Sequence, residues 1–398
     1  MVKFGMDLYS LYFHIPFCER RCNYCDFNTY AGVQNRIPQY MNALRQEVTS
    51  LMGDRRGEIP VHTVYLGGGT PSLIPADELR NLLILIRDHF NVCEEAEITL
   101  EANPGTLSPD YLQQIRQAGF NRLSLGMQSA SDRELKILGR IHKATDVFES
   151  LAWARSAGFD NVSLDLIYGL PGQSLGDWQI NLEAALRAAP EHLSLYALTL
   201  EPHVPMARWI EQDRLPAQDD DLSADMYELA TDTLDAAGFA QYEISNWARK
   251  EAGRDLRSRH NLQYWLNQPY LGFGAGAHGY ADGFRTENLS RILAYMQRIF
   301  SSQQAEFPCG PALKTATRID RHREMQETMM LGLRLQQGVS AERFEARFGV
   351  SMFNVFEKEI AQVTGLDLIE EYPAPGQGVH LTRRGRFLSN VVFRQFVD

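Results

Sequence analysis

Short apolar, β-rich runs alternate with longer helical patterns along the first two-thirds of the chain. Helix-periodic segments, such as residues 77–90 and 109–118, separate these runs. The predicted strands cover residues 8–14, 63–66, 97–100, 122–125, 161–167 and 192–198. Six such units in succession predict an α/β fold, in which a parallel sheet with right-handed crossovers forms a partial (β/α)6 barrel and not a closed eight-stranded one.

The pattern changes near residue 321. Helical patterns follow at residues 325–336, 341–348 and 353–363, then a hairpin that turns at residues 373–378 and a final apolar helix at 387–396. Three helices and a hairpin predict a C-terminal winged-helix-like α+β domain at residues 321–398, after a barrel domain at residues 1–320. DNA binding is common for this shape, but residues 324–398 carry ten acidic and eight basic side chains, which disfavours it.

Composition narrows the class of protein. The chain has 398 residues, of which 44% are hydrophobic and 22% charged, as expected for an ordinary soluble protein of two domains. Its net charge of −11 predicts no nucleic-acid surface, and no apolar stretch approaches the ~20 residues of a membrane span. Five cysteines, an odd number, and the lack of an apolar signal segment predict reduced thiols in the cytoplasm, so any membrane association would require a partner. Cys93 and Cys309 are interpreted as packing or surface residues.

Three cysteines follow the first predicted strand at Cys18, Cys22 and Cys25. Three thiolates within eight residues can hold a metal cluster, but they leave one iron of a [4Fe-4S] cluster without a protein ligand, and a small molecule can bind there. A zinc site would need a fourth ligand, for which His14 is the nearby candidate although it lies within a strand pattern. A disulfide is disfavoured by the reducing location. The pattern therefore favours a cluster with an open iron.

Polar and glycine residues follow several other predicted strands. Because ligands bind at the carboxyl ends of parallel strands, these loops are expected to form one site. Asp165 lies within an apolar strand, which is costly unless its carboxylate is paired with Arg140 or Arg122 or contacts a ligand, and both interpretations stay open. The glycine turn could equally be a tight strand-to-helix connection. The candidates after the second to fifth strands are Gly68, Gly69, Thr70, Glu101, Gln128, Arg140 and Asp165.

The Cys-x3-Cys-x2-Cys spacing resembles that of the radical S-adenosylmethionine (SAM) enzymes. From about Leu8 to the C-terminus, the chain is similar to one branch of them, the oxygen-independent coproporphyrinogen III dehydrogenases and their relatives. The resemblance implies a [4Fe-4S] cluster on the three cysteines and a C-terminal domain that covers the open end of the barrel. It also implies SAM contacts at Tyr12, Tyr24, Gly68, Gly69, Thr70, Glu101, Gln128, Arg140 and Asp165, with a weaker match at Thr199.

Some features depart from the dehydrogenases. Those enzymes carry a further cysteine where this chain has Phe27, and a longer segment ahead of the first strand. The segment His260-Asn-Leu-Gln-Tyr264-Trp265 resembles a signature of the heme chaperones of this branch. The resemblance implies heme binding at these three residues, because imidazole can ligate heme iron and aromatic rings can cover a porphyrin face. A hydrogen-bonded histidine beside core aromatics is the alternative, and His278 is a competing heme ligand.

The resemblance predicts a heme chaperone that delivers heme to heme-dependent membrane or respiratory proteins, with the cluster and SAM as a structural or regulatory cofactor set. The alternative is a dehydrogenase that decarboxylates the propionates of coproporphyrinogen III through a 5'-deoxyadenosyl radical. A third interpretation is a partner-binding protein that uses the cluster for folding alone. No catalytic residue is assigned, and a homodimer is compatible with the sequence.

Overall fold

One sheet of twelve strands organises most of the molecule. The structure is a computed structural model that describes residues 8–302 and 304–397. The strands of this sheet are β1 (Tyr9–Ile15), β2 (Pro60–Gly68), β3 (Asn91–Ala102), β4 (Arg122–Gln128), β5 (Val162–Tyr168), β6 (His192–Ala197), β7 (Phe239–Glu243), β8 (Asn246–Arg249), β9 (Tyr270–Phe273), β10 (His278–Ala281), β11 (Phe284–Asn288) and β12 (Leu313–Arg318). Their spatial order is β12-β11-β10-β9-β1-β2-β3-β4-β5-β6-β8-β7.

Strands β1 to β6 run parallel to their neighbours, which confirms the predicted α/β fold with its parallel sheet. The sheet also extends beyond the six predicted units. Strand β9 adds a seventh parallel strand beside β1, and short antiparallel strands flank both edges. Several of these added strands have only four residues, too few to show a clear alternating pattern in the sequence.

Helices connect the strands and cover the outer face of the sheet. Helix α3 has its predicted bounds because the Ser108 hydroxyl accepts a hydrogen bond from the amide of Tyr111, and Gly119 ends the helix at a φ of 116°. The helices are α1 (Ile37–Met52), α2 (Ala76–His89), α3 (Pro109–Ala118), α4 (Asp132–Leu138), α5 (Ala144–Ser156), α6 (Leu175–Arg187), α7 (Pro205–Glu211), α8 (Asp220–Ala236), α9 (Arg259–Trp265) and α10 (Ile292–Ser301).

The two faces of the parallel sheet differ in chemistry. Side chains alternate along each strand, so Leu123 and Leu125 of β4 are fully buried in the apolar core under the helices. On each strand, the residues that alternate with these core residues face the interior of the barrel, and on most strands they are polar. The interior is therefore suited to a polar ligand and is not filled by an apolar core. Examples of these inward residues are Tyr65, Glu101, Arg122, Ser124, Asp165 and Ser194.

The C-terminal region forms a smaller cluster of helices around a three-stranded sheet. One of the predicted helices is divided in two. Phe356 leaves the helical conformation (φ −118°, ψ 33°) and is buried in this core, so the third predicted helix becomes α13 and α14. The elements are α11 (Arg321–Gly332), β13 (Val339–Ser340), α12 (Ala341–Phe348), α13 (Met352–Val355), α14 (Glu357–Gly365), β14 (Ile369–Glu371), β15 (Gly378–Leu381), α15 (Arg383–Phe387) and α16 (Ser389–Val397).

This C-terminal region packs against α9 and the loop after it. Arg347 donates a hydrogen bond to the backbone carbonyl of Asn267 at 2.9 Å, and the Arg334 guanidinium lies 4.4 Å from the centre of the Trp265 ring. These contacts help to hold α9 in place. In the part of the chain that the structure describes, no helix combines the length and apolar character that a membrane span requires.

Candidate functional site

A cavity of about 410 Å³ lies at the carboxyl ends of the parallel strands. It brings together most of the residues that the sequence predicted for the cluster and for SAM. Tyr12 is the exception, since it does not line the cavity but stacks on Tyr65, which does. The predicted residues that line the cavity are Cys18, Cys22, Cys25, Tyr24, Gly68, Gly69, Thr70, Glu101, Gln128, Arg140, Asp165 and Thr199.

The cysteine loop is held by contacts from neighbouring loops. The Thr70 hydroxyl lies 3.7 Å from the Cys18 sulfur, and the Arg140 guanidinium lies 3.6 Å from the Cys22 sulfur. All three thiols are half-buried. Burial, with smaller contributions from the neighbouring Cys22 and Cys18, raises the pKa of Cys25 to about 11. Cluster binding at these thiols would therefore have to displace their protons.

The donor set around the three thiols fits a cluster with one open iron. Among the described residues, the cavity lining contains no histidine and no fourth cysteine. His14, the candidate fourth ligand of a zinc site, shares hydrogen bonds with Tyr12 and with the Asn28 carbonyl through its two ring nitrogens. Among residues 8–302 and 304–397, no three His, Cys, Asp or Glu side chains converge on a position for a single metal ion. When bound, a [4Fe-4S] cluster would supply one-electron chemistry at this loop.

The glycine turn after β2 packs directly against the strand that precedes the cysteines. The Gly69 amide donates to the carbonyl of Ile15 at 2.9 Å, and a Cβ added at Gly69 would lie 2.6 Å from the carbonyl oxygen of Phe17. Gly68 has a φ of 108°, which favours glycine, and its amide donates to Glu101 at 2.9 Å. The turn is therefore glycine-rich because two backbone segments meet there, whether or not it also contacts SAM.

Two buried carboxyl groups line the middle of the cavity. Glu101 accepts hydrogen bonds from the Tyr65 hydroxyl at 2.7 Å and from Gly68, and burial, with the nearby Asp165 charge, raises its pKa to about 7. Asp165 accepts a hydrogen bond from the Ser124 hydroxyl at 3.0 Å, and burial raises its pKa as well. Within the described residues Asp165 forms no ion pair with either arginine that the sequence suggested, so hydroxyl groups are its partners.

Arg140 and Gln128 approach the cysteine loop from β4 and the segment after it. Arg140 donates to the Gly126 carbonyl at 3.0 Å, which directs the guanidinium toward Cys22. Gln128 has a φ of 61°, in the left-handed region that residues other than glycine rarely adopt. Strained backbone of this kind persists only where the surrounding structure supports it. It is often found at functional sites.

The predicted heme residues lie on α9. His260 is 1% exposed, and burial lowers its pKa to about 3, so the ring is neutral. Its Nδ1 shares a hydrogen bond with Thr63 at 2.7 Å, and its Nε2 shares one with Tyr264 at 2.8 Å. Thr63 donates its own proton to Ser10, so Nδ1 carries the ring proton and Nε2 accepts from Tyr264. Neither nitrogen is open to a heme iron in this arrangement, which favours the structural alternative.

Three other residues in or near this motif, Trp265, His278 and Asn261, lie in different surroundings. The Trp265 ring lies under Arg334, and its buried Nε1 has no hydrogen-bond partner among the described residues. His278, the competing candidate, is exposed at the start of β10. Asn261, which follows His260 directly, lines the cavity. The motif therefore meets the cavity through its asparagine and not through its histidine.

Comparison with known proteins agrees with the fold and the cysteine loop. A family model of the radical SAM superfamily matches residues 12–184, and one of the HemN C-terminal domain matches residues 319–388. A curated heme chaperone HemW of Bacillus subtilis is 38% identical over 389 residues, which cover 98% of this chain and 99% of the relative. The chain belongs to the HemW family of radical SAM proteins. A HemW of Lactococcus lactis is 34% identical, over 98% of this chain and 97% of that protein.

A solved structure related to this HemW-family chain is the coproporphyrinogen III oxidase HemN of Escherichia coli, described as a radical SAM enzyme. Its TM-score is 0.84, with 23% identity, over 99% of this chain and 91% of that chain. At this identity the likeness concerns the fold. It confirms the predicted radical SAM architecture.

Sequence reasoning missed several residues that line the cavity of this HemW-family protein. Most of these side chains lie on strands, between the apolar residues that predict the core, and Asn261 lies on α9. The alternation along β4 could have revealed them, since the inward positions lie two residues apart. The missed residues are Tyr65, Arg122, Ser124, Ser194, Tyr196 and Asn261.

Substitution of Gly69 by alanine is expected to lower the iron content of the protein as well as its affinity for SAM. The added Cβ would collide with the Phe17 carbonyl, one residue before Cys18, and backbone cannot move aside as a side chain can. Iron and acid-labile sulfide after anaerobic reconstitution measure the effect. Gly365→Ala is the matched control, because a Cβ there meets no atom within 4 Å. Full iron content in Gly69→Ala would contradict a role for the turn in holding the cysteine loop.

Glu101→Gln is expected to change how stability depends on pH. Burial raises the Glu101 pKa from 4.5 to about 7, so the folded protein holds this proton more tightly than the unfolded chain. The wild-type protein should therefore lose about 1–3 kcal/mol relative to Glu101→Gln as pH rises from about 4.5 to 7. Urea unfolding of both cofactor-free proteins at several pH values measures this difference. Glu47, whose pKa is also raised to about 7, contributes equally to both proteins. A pH-independent difference would contradict the prediction.

Proposed function

We propose that this protein binds heme and transfers it to heme-dependent respiratory or membrane proteins. The similarity to proteins named heme chaperone HemW, at 38% identity over 98% of the chain, is the observation that carries this proposal. Phe27 supports it as well, since it lines the cavity, 63% exposed, at the position where the family resemblance implies a cysteine in the dehydrogenases.

The same proposal includes a [4Fe-4S] cluster and SAM as the cofactors of the cavity. Cys18, Cys22 and Cys25 would hold the cluster, and the open iron would face the remaining cavity. Glu101 and Asp165 would accept hydrogen bonds from ligand hydroxyl groups, because their carboxyl oxygens lie in the cavity wall. In a chaperone these cofactors would stabilise or regulate the heme-loaded state. The thiols require a reducing compartment, which fits the cytoplasm.

The second candidate function is oxidative decarboxylation of coproporphyrinogen III. It is favoured by the polar interior of the barrel, where two buried carboxyl groups lie in the same cavity as the cysteines. Such groups often act in catalysis, since burial moves the pKa of Glu101 close to neutral pH. The two functions differ in what happens to the porphyrin, which is either held unchanged or converted.

The decisive experiment reconstitutes the protein anaerobically and then divides the sample between two assays. One assay measures heme binding and the transfer of heme to a heme-free acceptor, such as an apo-cytochrome b subunit. The other measures the loss of carbon dioxide from coproporphyrinogen III in the presence of SAM and a reductant. We expect heme binding and transfer without porphyrin conversion. Efficient conversion, or no heme binding, would overturn the chaperone proposal.

A further inference from the structure

Arg122 is a buried cation that has no hydrogen-bond or ion-pair partner in the part of the chain that the structure describes. It is the first residue of β4, it points into the barrel and it is 2% exposed. Its Nε is buried and unsatisfied, and its guanidinium forms no hydrogen bond or ion pair with any residue among 8–302 and 304–397. Burial of an unpaired charge is among the most costly arrangements in a protein. Since Arg122 lines the cavity, a ligand could supply the missing partner.

Asn261 lines the same cavity and also has no side-chain hydrogen bond in the described structure. Its backbone is firmly placed at the start of α9. The Ser258 hydroxyl accepts from the Asn261 amide at 3.3 Å, and the Glu97 carboxylate accepts from the amides of Arg259 and His260 at 3.1 and 3.0 Å. The side-chain carboxamide of Asn261 is thus a second polar group that is held in place and, within the described residues, forms no hydrogen bond.

The two carboxyl groups near Arg122 are engaged elsewhere. Glu101 accepts from Tyr65 and Gly68, and Asp165 accepts from serine hydroxyls. Both are close enough for the Arg122 charge to lower their pKa values, a smaller effect than the opposing burial. Glu101 and Asp165 therefore interact electrostatically with Arg122, but neither accepts a hydrogen bond from its guanidinium.

Arg122 is also separate from Arg140, a half-buried arginine of the same cavity. Arg140 contacts the Gly126 carbonyl and the Cys22 sulfur, at the cysteine end of the cavity. Gly126 lies four residues along β4 from Arg122, which corresponds to about 13 Å between their Cα atoms. Arg122 and Arg140 are therefore distinct cationic positions in the cavity.

We propose that Arg122 and Asn261 form a subsite for a carboxylate group. A guanidinium binds a carboxylate through two parallel hydrogen bonds, and the Asn261 amide can donate a third. Two ligands of the proposed function carry this group, because heme has propionate arms and SAM has an amino-acid carboxylate. The identity of the ligand rests on the proposed function, whereas the unpartnered guanidinium does not.

Hemin and hemin dimethyl ester, in which both propionates are esterified, test the subsite on the reconstituted full-length protein. Arg122→Met keeps an unbranched, flexible apolar side chain and removes the guanidinium with its donors. We expect this variant to bind hemin or SAM at least about tenfold more weakly, since charge-assisted hydrogen bonds are lost. Weaker hemin binding with unchanged ester binding assigns the carboxylate to a propionate. Weaker SAM binding with unchanged hemin binding assigns it to SAM.

Asn261→Asp is the second variant, because it keeps the shape of the side chain and removes no buried cation. A carboxylate there would repel the ligand or pair with Arg122, so the same ligand should bind more weakly. Arg254→Met is the matched control, since Arg254 is partly exposed and pairs with Asp160 outside the cavity. Unchanged affinities for hemin, its ester and SAM in folded Arg122→Met or Asn261→Asp would overturn the subsite. If wild-type protein binds no hemin but the variants weaken SAM, the proposed function fails and the subsite stands.

Discussion

Replacement of Cys18, Cys22 and Cys25 together by alanine is expected to abolish iron and sulfide binding. The three thiols are the cysteines that line the cavity, and no imidazole in its lining can take their place. A cluster without thiolate ligands has no covalent attachment to the chain. Iron content, acid-labile sulfide and the visible absorption spectrum after anaerobic reconstitution measure the result. We expect each single replacement to reduce iron content sharply as well.

The other two cysteines supply the control. Cys93 and Cys309 lie outside the cavity lining, so the double variant Cys93→Ala, Cys309→Ala should keep the iron content of the wild-type protein. Circular dichroism of the triple variant should show that the barrel still folds, since its core consists of apolar residues under the helices. Retention of full iron and sulfide by the triple variant would remove the basis of the cofactor assignment.

His260→Ala is expected to reduce the free energy of unfolding by about 2–4 kcal/mol without changing the heme spectrum. The change removes a ring that stacks on Tyr65, with 4.8 Å between the centres. It also leaves the Tyr264 hydroxyl without its hydrogen-bond partner and takes one of two partners from the Thr63 hydroxyl, which still donates to Ser10. Both effects act on stability, because His260 is buried and does not line the cavity. Urea unfolding and the Soret band of the heme-loaded protein measure the two quantities.

Tyr264→Phe separates the structural role of His260 from the role of an axial ligand. It removes the hydroxyl that occupies Nε2 and should cost about 1 kcal/mol. If His260 binds heme iron, this variant frees Nε2 and should strengthen heme binding. If His260 is structural, heme affinity should stay as in the wild type. A shifted Soret band in His260→Ala, with tighter heme binding in Tyr264→Phe, would restore the sequence-based interpretation.

The difference between the cysteines and His260 shows where sequence reasoning works. Cys18, Cys22 and Cys25 lie within eight residues, and a loop that short keeps its side chains together whatever surrounds it. The role of His260 depends on its hydrogen bond with Thr63, 197 positions away in the chain, and on how α9 packs against the barrel. A six-residue motif contains no information about either, so the match identified a region but not the side chain that meets the cavity.

The sequence by itself determined the alternation of strands and helices, the cysteine loop and the polar residues after each strand, because these are local patterns with short periods. It also indicated the family through its motifs. Tertiary structure decided that Gly69 abuts the Phe17 carbonyl and that hydroxyls and not arginines partner Asp165. It also decided that Arg122 has no hydrogen-bond partner among the residues that the structure describes. The physical reason is that burial and hydrogen bonding depend on which distant strands become neighbours, and a parallel sheet pairs residues that its helices separate along the chain.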